Sequence, residues 1–137
     1  MEATKFRKVA CIVFYDDKKN ILIQDRRDFS EHIDYGWFGG GIEKEESPET
    51  AVWREIKEEL DINLKDFKLL DKYNNQYKSK VDNTIMEADC TLFITKFRSK
   101  NLVCHEGKPI WVTINEARTM LHPGDVPSLD KVEEWLK

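Results

Sequence analysis

The chain reads as one α/β or α+β sandwich. Short β-rich runs are mixed with helical stretches, the longest helical stretch carries its own start signals, and no internal repeat, low-complexity tract or linker interrupts them. "KVACIVFY" and "ILIQDR" are rich in β-branched and aromatic residues and are separated by the polar turn "DDKKN", which predicts a hairpin or neighbouring strands. Arg27 to Tyr35 reads as a polar loop leading into "WFGGGIE". "SPETAVWREIKEELDI" then opens as a helix, with Ser47 as N-cap, Pro48 at the first helical position and Glu49 in the first turn. "FKLLDKYNNQYK", "TIMEADCTLFITKF" and "PIWVTI" are the remaining strand candidates. Asn115 is expected to cap a short helix through Leu121, and Ser128 to cap "LDKVEEWLK", whose Leu129, Val132, Trp135 and Leu136 lie at helical spacing and are expected in the core.

Length and composition set further bounds. A chain of 137 residues that is 40% hydrophobic can bury a real core, and residues 1–137 are expected to form a single domain. The net charge of −4 gives no reason to expect a duplex nucleic-acid binder, although a small polyanion remains admissible where local cations or metals receive it. Cys11, Cys90 and Cys104 are odd in number and lack C-x-x-C spacing, so buried reduced thiols in a cytosolic protein are expected. No apolar run approaches membrane-spanning length, and no small-residue cleavage site follows "VACIVFY"; a cytoplasmic location with no membrane partner is the expectation.

"REIKEEL" poses a charge problem. At about 100° per residue, Glu55, Glu58 and Glu59 share an arc of roughly 100°, where like charges destabilise a helix unless something positive neutralises them. Val52, Trp53, Ile56 and Leu60 fall on the neighbouring stripe and are expected to enter the core. Taken alone, the acidic face is readable as solvated surface, with Arg54 bridging to Glu58 and Lys57 to Asp61. The preceding Gly39, Gly40 and Gly41 change that balance, because they permit close backbone approach and carbonyls turned toward a ligand. Carboxylates with carbonyls form a hard-cation donor set, suited to Mg²⁺ or Mn²⁺.

Gly40, Glu46, Arg54, Glu55, Ile56, Glu58, Glu59 and Ile62 together resemble the Nudix box, G-x5-E-x7-R-E-U-x-E-E-x-G-U, where U is a bulky aliphatic residue. Asp61 departs from the pattern by standing where the family has glycine after the helix; Asp is among the few other residues that tolerate a left-handed cap. Gly39 stands where a proline is common, which would loosen that loop. Outside the box, "RRDFSEH" with Arg26, Arg27 and His32 is similar to a segment that MutT-type members use near nucleotide phosphates, and "HEGKPIW" resembles a later loop whose glutamate, here Glu106, reaches the metal cluster.

The resemblance implies a Nudix-type α/β/α sandwich with a mixed sheet between helices, and a hydrolase for a nucleoside diphosphate linked to another group. Mg²⁺ would be held by Glu55, Glu58, Glu59, the Gly40 carbonyl and Glu106. Glu55 would alternatively be the base, oriented by Arg54, and Glu46 would support the loop-helix junction. Trp37 and Phe38, with Tyr35, are candidates to stack on a base, and Asp125 in "HPGDVPS" to contact it. The favoured activity is MutT-type pyrophosphohydrolysis of nucleoside triphosphates to monophosphate and pyrophosphate, oxidised purines included. ADP-ribose, nucleotide sugars, dinucleoside polyphosphates and a non-catalytic nucleotide-binding role are the alternatives. A monomer or homodimer acting on small nucleotides is expected.

Overall fold

The strand β1, Thr4–Tyr15, organises the structure. The computed structural model describes residues 4–29, 34–79, 81–98, 102–105 and 107–137. Because side chains alternate along a strand, Ala10, Ile12 and Phe14 of β1 enter one apolar cluster while Cys11 and Val13 pack in another on the opposite face. β1 pairs in parallel with β6 (Ile85–Lys96) along its whole length. It pairs antiparallel with β2 (Ile21–Asp25) at one end and with β4 (Phe38–Gly41) nearer the other. β3 (Tyr35–Gly36), β5 (Lys68–Lys78) and β7 (Lys108–Val112) complete a seven-stranded mixed sheet ordered β3-β2-β1-β6-β5, with β4 on β1 and β7 on β2.

Helix α1, Pro48–Leu60, covers one face. Its Ala51, Val52, Ile56 and Leu60 pack against Ala10, Ile12, Phe14, Phe38 and Phe93. Full burial of Val52, Ile56 and Leu60 contributes roughly 1.5–3 kcal/mol each. α2 (Ile114–Met120) and α3 (Ser128–Trp135) cover the other face, placing Ala117, Leu129 and Val132 against Val13, Ile23, Leu92 and Ile94. The sheet therefore lies between helices, the α/β/α sandwich the sequence implies.

Both ends of α1 follow the local chemistry of the sequence. Ser47 accepts from the Thr50 N–H, Pro48 opens the helix, and Asp61 closes it in the left-handed region at φ 54°. The other two caps differ from expectation. Thr113, not Asn115, caps α2, in a reciprocal box with Glu116. Pro127 precedes α3 without a side-chain cap, because the Ser128 hydroxyl donates instead to Asp71 Oδ2 at 2.9 Å.

Two tryptophans expected in the core are partly exposed. Trp53 lies about 100° around α1 from Val52, on which the buried stripe is centred, and Trp135 lies about 120° from Leu129 on α3; they keep 42% and 44% exposure. The glycine segment, expected as a loop, is strand β4, with Gly39, Gly40 and Gly41 opposite Cys11, Ala10 and Val9. Gly39 is pinned there rather than loosened: its φ is +141°, and a Cβ would stand 2.1 Å from the Ala10 carbonyl oxygen. Among the described residues, no helix is long and apolar enough to cross a membrane.

Candidate active site

The charge problem of "REIKEEL" is resolved by one guanidinium. Arg54 Nε and Nη2 donate to the two Glu46 carboxylate oxygens at 2.8 and 2.9 Å, and Nη1 donates to Glu55 Oε1 at 2.9 Å. Nη2 also reaches the Gly41 carbonyl at 3.1 Å. The i+4 partner Glu58 is more distant, at 3.6 Å. The clamp on Glu46 is bidentate, and the Arg54 hydrogen bonds, with the one from the Glu43 N–H, hold the Glu46 carboxyl down at about 2 against the opposing effect of burial. The Arg54 guanidinium is raised further by the same hydrogen bonds. Glu46 additionally accepts from the Glu43 N–H, tying the loop before α1 to the helix.

The clamp fixes where Glu55 sits. β4 is bonded to β1 alone among the described strands, and α1 packs against both. A Cβ on Gly40 would come within 2.5 Å of the Glu55 carboxyl carbon, so the carboxylate occupies space that only glycine leaves open. Glu59, one turn on, is 5% exposed. Glu55 and Glu59 both line a cavity of about 670 Å³ with Gly39, Gly40 and Gly41. Glu58, which shares their arc on a helical wheel, does not line it and keeps 60% side-chain exposure.

The far end of the cavity is closed by a buried carboxylate. Asp125, 8% exposed, accepts from the Tyr73 hydroxyl at 2.6 Å and from Asn75 Nδ2 at 3.1 Å, both at Oδ1. Trp37 Nε1 donates to the same Tyr73 hydroxyl at 3.2 Å. Burial raises Asp125 to about 6 despite the two hydrogen bonds, which act the other way. The floor between the two ends is the sheet itself, with Val9 and Cys11 from β1, Ala88 and Cys90 from β6, and Asn75 and Tyr77 from β5.

The residues singled out from sequence divide accordingly. Gly39, Gly40, Gly41, Glu55, Glu59, Arg26, Trp37 and Asp125 converge on the cavity. Phe38 does not: it is fully buried beneath α1, because successive strand residues face opposite sides and Trp37 takes the cavity side. Arg27 also stays outside, held by Asp25 at 2.8 Å and stacked 5.2 Å from the Tyr35 ring centre. Glu106 and His32 lie outside the described residues. The described residue His105 is tied to α1, its N–H donating to the Glu59 carbonyl at 2.9 Å. Glu87 faces away, accepting from Asn74 and Gln76 on the opposite side of the sheet from Ala88. Sequence reasoning missed Tyr73, Asn75 and Tyr77, whose spacing of two in "YNNQY" places them on one face.

A model of the NUDIX domain matches residues 5–136. The chain belongs to the NUDIX family. Solved structures agree in fold. The MutT protein of Methanosarcina mazei Go1 superposes with a TM-score of 0.79 at 15% identity, covering 100% of this chain and 99% of that one. The E. coli ORF135 protein gives 0.67 at 24% identity, with 97% and 92% covered. A C. elegans Ap4A hydrolase gives 0.70 at 19% identity, with 95% and 97% covered. The comparison with curated proteins returned no match. Identities this low establish the shared fold, and the NUDIX site of this chain has to be read from its own residues.

Read that way, the NUDIX helix brings a carboxylate against a bare backbone and a second, buried carboxylate to the wall of one cavity, the first oriented by Arg54. Asp61, where the family pattern has glycine, adopts the left-handed conformation that glycine would supply and pairs with Lys57 at 2.9 Å. The departure is accommodated without disturbing the helix that carries the glutamates.

Proposed function

We propose that this chain is a Mg²⁺-dependent nucleoside triphosphate pyrophosphohydrolase of MutT type, releasing a nucleoside monophosphate and pyrophosphate. The observation that carries the reading is the Arg54 clamp, which sets Glu55 against Gly40 at the mouth of a cavity whose other end is an acceptor, Asp125.

The donor set suits a hard cation. Glu55, Glu59 and the Gly40 carbonyl offer oxygen only, and the missing Cβ of Gly40 lets the Glu55 carboxylate lie against that backbone. Among the described residues no three His, Cys, Asp or Glu side chains already form a cage, so Glu58 and Glu106 are the further candidates to complete the shell. A bound Mg²⁺ (Mn²⁺ being the close substitute) supplies neutralisation of phosphate charge and a more acidic water.

The chain's own groups do the rest. Arg54 holds Glu55 in one orientation, fit either to ligate the cation or to accept the proton of the attacking water. Trp37 offers an aromatic wall and Asp125 an acceptor for the N–H groups of a base, while Arg26 faces the phosphate region. A small nucleotide as the substrate, a monomer or homodimer as the acting form and the cytoplasm as its location complete the reading.

The deciding experiment incubates the protein and Mg²⁺ with nucleoside triphosphates, oxidised purine triphosphates, ADP-ribose, nucleotide sugars and dinucleoside polyphosphates, with separate detection of phosphate and pyrophosphate. The reading expects pyrophosphate from triphosphates, and one ¹⁸O atom from labelled water in a phosphate-containing product. Faster turnover of ADP-ribose, a nucleotide sugar or a dinucleoside polyphosphate would replace the substrate class. Tight binding without turnover of any of them would replace the enzyme by a binding domain.

A further inference from the structure

Among the described residues, one cation of the cavity has no hydrogen-bond or ion-pair partner. Arg26 donates to Gln24, Arg27 to Asp25, Arg54 to Glu46 and Glu55, and Arg118 to Glu133. Arg7 also lines the cavity, and it has no hydrogen-bond or ion-pair partner among the described residues.

Its position follows from the register. Arg7 stands opposite Ala88 of β6, and Ala88 stands opposite Asn75 of β5, so the three form one row across the cavity floor. At about 4.8 Å per strand this row spans roughly 10 Å, with a donor at the Arg7 end and Asp125 bonded to Asn75 at the other. Ala88 in the middle leaves the floor low. The guanidinium does not lie flat over the row; a Cβ built on Gly41 would stand 3.0 Å from Arg7 Nη2. Gly41 follows Gly40, whose bare backbone faces Glu55. A group bridging from the glutamates into the cavity therefore passes beside Arg7.

We propose that Arg7 grips the phosphate of the nucleotide that stays in the cavity, on the cavity side of the glutamates. The ligand class is a nucleoside 5′-monophosphate, and the proposal rests on the reading of the cavity as a nucleotide site. A guanidinium is a fixed fork of donors matched to phosphate oxygens, and an unpaired one loses no internal partner on binding. The opposed acidic groups make its role specific: Glu55 and Glu59 repel a bare phosphate, so a cation on the other flank is what allows the product to be held when no metal is present.

Arg7 is a binding residue, and its test uses binding without turnover. Isothermal titration in EDTA with the four common nucleoside monophosphates, and with the matching nucleosides, compares wild type with Arg7→Ala, Arg7→Gln and Arg7→Lys. Expected is at least a tenfold weakening of the best monophosphate in the Ala and Gln variants and partial recovery in Lys. Nucleoside affinity is expected within about twofold throughout. Thermal unfolding should be unchanged, since among the described residues the side chain has no hydrogen bond or ion pair to lose. Equal loss for nucleoside and monophosphate would assign Arg7 to the base and overturn the proposal. Unchanged monophosphate affinity, or no monophosphate binding by wild type, would overturn it too. These outcomes are independent of hydrolysis, so an Arg7 result stands apart from any failure of the pyrophosphohydrolase reading.

Discussion

The two ends of the cavity are both built on carboxylates, and they hold them in opposite ways. At the helix end, Glu46, Glu55, Glu58 and Glu59 lie within fourteen residues of sequence and share one arginine. At the sheet end, Asp125 is joined to Tyr73 and Asn75 across separations of 52 and 50 residues, with no cation bonded to it among the described residues. The same chemical group is therefore driven in opposite directions: the Arg54 hydrogen bonds hold Glu46 at about 2, whereas burial lifts Asp125 to about 6. The helix end keeps Glu46 ionised as the anchor of Arg54. The sheet end keeps an acceptor that can change protonation near physiological pH.

Breaking the helix end should have the largest effect. Glu59→Gln preserves shape and removes one buried charge beside the cavity. Turnover with saturating Mg²⁺ is expected to fall at least about a hundredfold, with the folded state retained. Near-wild-type kcat would take Glu59 out of the cation site.

Glu46→Gln tests the same end indirectly. It weakens the fork that orients Arg54 while leaving Glu55 and Glu59 in place. A loss of kcat of roughly tenfold is expected, together with a lower Tm, because Arg54 then orients Glu55 less strictly. Unaltered kcat with a lower Tm would make the clamp purely structural. The pH dependence has a definite sign. Glu46 is depressed, so its contribution to stability is present above about 4.5 and is lost as pH falls toward 2.

How much of each end was legible from sequence follows from this difference. The helix end was readable because its contacts are local: Ser47 and Pro48 start α1, Asp61 ends it, and helical geometry alone puts Glu55 and Glu59 on one side. What the wheel could not supply is that Arg54 would choose Glu46, eight positions away across the turn, over Glu58 at i+4. The sheet end was opaque for a register reason. β5 carries an irregularity between Leu69 and Asp71, after which Leu69 faces Phe93 and Asp71 faces Leu92, residues of opposite faces. That one-residue slip puts Asn75 and Tyr77 over the cavity and Tyr73 on the same face, bonded to Asp125, and alternation in sequence cannot reveal it. The same ambiguity separated Trp37 from Phe38, neighbours of equal aromatic character sent to different faces.

Asp125→Asn sharpens the comparison at the sheet end with a smaller effect. The amide keeps an acceptor for Tyr73 but cannot ionise, so kcat should stay within about threefold while KM for the preferred nucleotide rises roughly tenfold. In wild type, KM should also step between about pH 5 and 7, and the variant should lack the step. For stability, the folded-state value lies above the ordinary 3.8, so the contribution is complete below about 3.8 and disappears as pH rises through about 6. Wild-type Tm is expected to fall relative to Asp125→Asn over that interval, opposite in direction to the Glu46 effect. A KM that is flat with pH in both proteins would remove Asp125 from ligand recognition.

The smallest effect is expected at Asp61, which belongs to the helix end by sequence but not by chemistry. Its φ of 54° is one that a Cβ disfavours, and glycine would adopt it freely. Against that gain, Asp61→Gly loses the exposed pair with Lys57 at 2.9 Å, and exposed helix pairs contribute little. Glycine also enlarges the conformational freedom of the unfolded chain, which opposes the gain again. The three contributions nearly offset, so Tm should rise by no more than a few degrees and kcat and KM should be unchanged. A large loss of activity at unaltered Tm would show that this acidic C-cap acts on the substrate or the cation, and the helix end would then extend one residue further than its clamp.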